Sequence, residues 1–112
     1  MTVVAKTLVE SVQAANAETT QYTAPANTRT IIDKMTATNT TGAAVTLTTK
    51  LVPSGGTAGP SNTVMSAQSI AAGATYLCPE VAGHTLNPGD FLSTLAGAAA
   101  SITIRVSGRE VS

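Results

Sequence analysis

The sequence predicts an all-β fold, a single-domain β-sandwich of about eight antiparallel strands. Three observations carry that expectation. Apolar and hydroxylated residues alternate over Thr30-Ile31-Ile32-Asp33-Lys34-Met35-Thr36-Ala37-Thr38 and again over Val45-Thr46-Leu47-Thr48-Thr49-Lys50-Leu51, the period-2 pattern of half-buried strands. Turn residues cut the chain at spacings of roughly 8 to 15 residues, too short for alternating helices and strands. Composition agrees, with twenty Thr and nineteen Ala in 112 residues against three aromatics and one Cys.

Residues 3–12 open the chain. Val4, Leu8, Val9 and Val12 also fit helical spacing, but the β-branched content favours a strand. A short strand at Thr19–Thr23 ends in the turn Ala24-Pro25-Ala26-Asn27, where Pro sets φ. Residues 29–39 and 44–52 read as two strands of a β-hairpin, joined by Asn39-Thr40-Thr41-Gly42 with Gly42 at positive φ. The Gly- and Pro-rich stretch 53–62 reads as a mobile surface loop. Strands follow at 63–70 and 74–78, flanking Ala71-Ala72-Gly73, with a short helical turn at Pro79 to His84. Leu86-Asn87-Pro88-Gly89-Asp90 is a Pro-Gly turn, and Phe91 to Leu95 and Ser101 to Ser107 close the sheet.

A chain of 112 residues makes one domain, with a core built from Val, Ile, Leu and Ala rather than from Phe91, Tyr22 and Tyr76. Residues 1–19 form either its first strand or an extended N-terminal arm. Six basic residues balance six acidic ones, so no field draws in a polyanion and nucleic acid is not an expected partner. Charged residues make up only 11% of the chain, against roughly 25% in ordinary domains, which leaves a surface of Thr, Ser, Ala, Asn and Gly suited to packing against other protein. No apolar run is long enough to span a bilayer, so no membrane partner is expected. Met1-Thr2-Val3-Val4-Ala5-Lys6 lacks the layout of a signal peptide, and the lone Cys78 fits folding in a reducing cytoplasm.

Reactive groups are sparse. Ser93, His84 and Asp90 supply the residue types of a hydrolytic triad but no nucleophile-elbow motif, so no catalytic residue is assigned. One His, one Cys, two Asp and four Glu offer no metal-ligand spacing, and Asp33 and Asp90 read as turn residues rather than calcium ligands. Gly55-Gly56 lacks the Gly-Lys-Ser/Thr ending of a phosphate cradle. No cofactor is expected. The Thr-x-Thr runs are explained by β-propensity, without an ice- or sugar-binding face. Cys78 reads as a small buried hydrophobe in a strand. Arg105, Arg109 and Glu110 form either a solvated chain end or a subunit contact, for which Arg is well suited.

The run Tyr22-Thr23-Ala24-Pro25-Ala26-Asn27-Thr28-Arg29-Thr30-Ile31-Ile32-Asp33-Lys34, followed by Ala37-Thr38-Asn39-Thr40-Thr41-Gly42, resembles small structural proteins of tailed bacteriophages. So do Ile70-Ala71-Ala72-Gly73, the Leu86–Phe91 turn, and Ile102-Thr103-Ile104-Arg105-Val106-Ser107-Gly108-Arg109-Glu110-Val111. In size and style the chain is similar to capsid decoration, or cement, proteins. That resemblance implies a jelly-roll-like sandwich on the exterior of the virion, clamping the major capsid protein, self-associated as a dimer or trimer, with no enzymatic activity. Val3, Val4, Leu8, Val9, Arg105 and Arg109 are the candidate interface residues, the first four on an N-terminal segment expected to reach a neighbouring subunit. A head-tail connector or tail protein is the alternative within the virion. A glycan-binding or adhesin module is the alternative of another class, against which stands the absence of Trp.

Overall fold

The computed structural model describes residues 1–112 and is a β-sandwich of nine strands. Strands β1 (Val3–Gln13), β9 (Ile102–Val111) and β3 (Arg29–Asn39) lie side by side in the first sheet. Its far edge is shared by two short strands, β6 (Thr75–Tyr76) and β7 (Thr85–Leu86), which pair with opposite ends of β3. The second sheet runs β2 (Thr19–Thr23), β8 (Phe91–Ala96), β4 (Val45–Val52), β5 (Thr63–Ile70). All pairings are antiparallel. First pairs with last and second with next-to-last, one pair in each sheet, which is the nested winding of a jelly roll. Because β6 and β7 occupy one strand position, the nine strands fill eight places.

The core follows from alternation. On β9, Ile102, Ile104 and Val106 are buried while Arg105 and Arg109, on the alternate row, are exposed. They meet Ile32, Met35 and Ala37 of β3, Leu47 of β4 and Leu92 and Ala96 of β8. Each fully buried Leu, Ile or Met side chain contributes about 1.5–3 kcal/mol, so a core with few aromatics is filled by many aliphatic groups.

Several expectations are corrected. Strands β3 and β4 do not form a hairpin: β3 pairs with β9 and β4 with β5 and β8, in opposite sheets. The link between them is a corner organised by Asn39, which is fully buried. Its Nδ2 donates to the carbonyls of Ala43 (2.7 Å) and Ile70 (2.9 Å), and its Oδ1 accepts from the Thr41 N–H and hydroxyl. Gly42 is not among the residues at positive φ, because a side chain, rather than a left-handed backbone, makes this bend.

Residues 53–62 are tied down. Asp90 Oδ1 accepts from the Ser54 N–H, Asn62 bonds the backbone at Gly59 and Thr57, and Pro60–Asn62 forms a 3-10 turn. The loop lies against the outer side of the second sheet, where it helps to bury Val52 outside the main core. Pro79 to His84 makes the short turn expected of it, with the Val81 and Ala82 N–H groups both bonded to the Cys78 carbonyl. Cys78 is buried but sits in that turn region at φ 47 rather than in a strand. The last strand runs to Val111 and lies between β1 and β3, so Arg105, Arg109 and Glu110 stand on a central strand and not on a solvated chain end.

Candidate interaction surface

The outward side of the first sheet is set by the register of its three long strands. Thr36 lies opposite Arg105, Thr38 opposite Thr103, and Thr7 opposite Ser107. Inward positions being apolar, alternation leaves the outward ones to hydroxyls and arginines. Both arginines are paired within the chain. Arg109 grips Asp33 through two bonds of 3.0 Å, Nε to Oδ2 and Nη2 to Oδ1, and these hold the guanidinium above its ordinary pKa. Arg105 reaches Ser11 Oγ and Thr7 Oγ1 at 3.3 Å and lies 3.8 Å from Glu10. Exposed pairs of this kind add little stability. They stand on a face rich in Thr and Ser, where Lys34, opposite Ser107, is exposed and without an ion pair.

At one end of the molecule, which measures 46 × 26 × 19 Å, β1 extends as the free edge of this sheet. Val3 and Val4 point to opposite sides and are both about half exposed, at 51% and 47%. Leu8 and Val9, by contrast, belong to the chain's own core. A register shift between Thr7 and Val9 permits two successive side chains to turn inward. Of the six candidate interface residues, Val3, Val4, Arg105 and Arg109 are therefore on the surface and Leu8 and Val9 are not.

Behind Val4, Tyr22 of β2 crosses between the sheets. Its hydroxyl lies 2.7 Å from Thr30 Oγ1 and donates to Glu110 Oε2 at 2.5 Å. Lys6 Nζ completes the cluster 3.4 Å from Glu110 Oε1. Burial, followed by the adjacent carboxylate, pushes the Tyr22 hydroxyl up to about 12.

The second sheet carries a polar cluster that sequence reading missed. Glu18, from the β1–β2 connection, is bonded to Lys50 Nζ through Oε1 and lies 2.5 Å from Ser93 Oγ through Oε2. Lys50 and Ser93 are cross-strand neighbours on β4 and β8, which places both under Glu18. Burial pushes the Glu18 carboxyl up, but bonds from Lys50 and Ser93 and the charge of Lys50 outweigh it and hold the group below its ordinary 4.5. A group with a depressed folded pKa stabilises the fold above its unfolded pKa and loses that contribution as pH falls through the folded value. Glu18→Gln is therefore expected to lower the melting temperature by a few degrees at pH 7. Wild type and variant should converge as pH falls through the depressed folded value, as thermal denaturation across a pH series would reveal; a constant difference down to acid pH would contradict this account.

The triad residue types do not come together. Ser93 is bonded to Glu18 and lies 3.2 Å from the Thr19 carbonyl. Asp90 spends one oxygen on the Ser54 N–H and the other on the Asn87 N–H, each at 2.9 Å. His84 and Asp90 line an open depression of about 360 Å³ with Leu51, Asn62 and Thr63. The Cys78 thiol is buried and pushed up to about 12 by that burial and by Glu80, so it is held as a neutral thiol at neutral pH.

Fold and surface together define a jelly-roll sandwich with one broad, hydroxyl-rich face. No family model matches the chain, and no curated protein does. Among solved structures it is similar to a chain in the structure of infectious bursal disease virus, Gx strain, with 14% identity and a TM-score of 0.39. The likeness covers 97% of this chain and 41% of that one, so this chain spans less than half the length of its neighbour. No helix is long and apolar enough to cross a membrane.

Proposed function

We propose that this chain is a non-enzymatic structural protein of a tailed-phage virion that decorates the capsid exterior, binding the major capsid protein and stabilising the shell. The outward face of the first sheet carries the proposal. Thr7, Thr36, Thr38, Thr103 and Ser107 stand there on three long antiparallel strands, and each arginine among them is already satisfied. Arginines already paired within the chain cost less to bury against another protein than unpaired ones. Many short hydroxyls also supply hydrogen bonds at little rotamer entropy. The segments that resemble phage structural proteins are the same ones that build β3, β9 and the Leu86–Phe91 turn.

Stabilisation works by mass action. A protein that binds only the assembled lattice shifts the equilibrium toward assembly, and many copies multiply a small contribution from each. The test is to mix purified protein with empty expanded heads from the same phage and follow co-sedimentation. Saturable pelleting that raises the heads' melting temperature is expected, and Thr103→Glu, which sets an unpaired charge in the face, should weaken it at least about tenfold. Failure to pellet, with rings in solution, would replace the decoration role by a connector role. Undiminished binding by Thr103→Glu would remove this face from the contact.

A further inference from the structure

The four sheet edges are unequal. Strand β2 is five residues long with a register shift, and β6 and β7 have two residues each. Strand β5 is broken by shifts around Ala67, which takes φ 43. Only β1 offers a long edge, and shifts after Thr7 confine its regular part to residues 3–7. Short, bulged edges discourage pairing, whereas a regular apolar edge is a template for another strand.

The hydrogen-bond phase of that segment is fixed. Thr2 and Ser112 exchange both backbone bonds, at 2.8 and 2.9 Å. Antiparallel ladders alternate, so with Val4 opposite Glu110 and Lys6 opposite Gly108, residues 2, 4 and 6 direct their backbone groups at β9. Val3, Ala5 and Thr7 therefore present theirs to the open edge. This arrangement is self-complementary. Placed antiparallel across a two-fold axis at Ala5, Ala5 meets Ala5 of a second copy and Val3 meets Thr7, closing about six backbone hydrogen bonds.

The side chains agree with that register. Val4 faces the same side as Glu110, its partner on β9. Lys6 of the second copy falls beside Val4, so its stem covers an exposed valine while its ammonium keeps Glu110 of its own chain, 3.4 Å away. No like charges stand opposite one another, and on the other side only Val3, Ala5 and Thr7 meet.

We propose that two copies of this chain associate through residues 3–7 of β1, merging their first sheets into one continuous sheet across a two-fold axis at Ala5. This deepens the self-association included in the decoration role. It is tested on the free protein, so its failure leaves shell binding standing, and loss of shell binding leaves it standing in turn. Five residues per strand bury less than the roughly 1,200 Å² of a standard interface, so the dimer is weak in solution and strengthened wherever copies are concentrated.

Sedimentation equilibrium of the full chain up to about 1 mM should show a reversible monomer–dimer equilibrium. Ala5→Pro removes an N–H that faces away from β9 and so costs no internal bond. It should weaken dimerisation at least tenfold with little change in melting temperature. Ala5→Cys provides a second readout that does not depend on the proline. Residues opposite each other at the axis have Cα atoms about 5.5 Å apart, within the roughly 4.4–6.8 Å range of a disulfide. Mild oxidation should link Ala5→Cys into dimers far faster than Glu10→Cys, while buried Cys78 stays out of reaction. A wild type that stays monomeric throughout, an Ala5→Pro variant that dimerises as wild type does, or equal cross-linking of the two cysteine variants would each overturn the proposal.

Discussion

Gly108→Ala should destabilise the protein by about 4 kcal/mol or more, a large part of the 5–15 kcal/mol that holds a domain together. Gly108 lies in β9 between Lys6 of β1 and Ile32 of β3. A Cβ built there would stand 2.1 Å from the Ile31 carbonyl oxygen and 2.8 Å from Leu8 Cδ1. Leu8 could turn aside at moderate cost, but Ile31 O is backbone in the strand next door. Nor can β3 easily withdraw. Just beyond this point its register shifts between Ile32 and Lys34, and Ile32 is held on its other edge by bonds with Gly83 and His84. Relief therefore means separating β3 from β9, the central pair of the first sheet. Ser107→Ala, one residue away on the outward side, should change stability by less than about 0.5 kcal/mol. Chemical denaturation of both variants tests the contrast, and a loss below about 1 kcal/mol for Gly108→Ala would show that the strands can part there cheaply.

Gly108 also shows what the sequence could and could not disclose. Alternation marked the strand, since Ile102, Ile104 and Val106 are inward by period two and Gly108 continues the same row. That only glycine fits there depends on where Ile31 lies, 77 positions away in sequence and visible only in the folded chain. The same holds for the candidate surface. Arg105 and Arg109 were identifiable as residues of interest from type and spacing, but their outward direction and their partners Thr7, Ser11 and Asp33 come from the pairing of β9 with β1 and β3. Leu8 and Val9 looked like part of an apolar arm because, with Val3 and Val4, they precede the first clear turn. A bulge resolves the conflict by turning both inward. Ser93 was legible only as a hydroxyl on a strand; nothing local foretold that Glu18 would fold over it. The 53–62 loop looked mobile from its Gly and Pro content, yet Asp90 and Asn62 supply the missing backbone partners. For Gly108, the arginines and Ser93 the unread part is a long-range contact that satisfies a polar group or fills a gap, which local pattern does not encode.

The corner at Asn39 is where local reading failed most completely, and there the second large effect is expected. Asn39→Ala should cost about 3 kcal/mol, since removing a buried partner leaves each orphaned group with a desolvation penalty of about 1–3 kcal/mol. The amide bonds the carbonyls of Ala43 and Ile70, and its oxygen holds Thr41. The Asn39 backbone adds bonds to Ala74 and from Gly73. One residue thus joins the end of β3, the entry to β4, the end of β5 and the approach to β6, and so ties the two sheets together at this end. Asn39→Asp sharpens the test. The carboxylate keeps an acceptor for Thr41 but faces two carbonyls where a donor is needed, so the folded state favours its protonated form. A raised folded pKa makes that variant's stability highest at acid pH and lost as pH rises through the folded value, opposite to the course expected around Glu18. Denaturation of Asn39→Ala and Asn39→Asp beside Thr38→Ala, with the Asp variant repeated across a pH series, distinguishes the possibilities. If Asn39→Ala falls no further than the half-buried Thr38→Ala, or if Asn39→Asp shows no recovery in acid, the corner is held by its backbone alone and the side chain is dispensable.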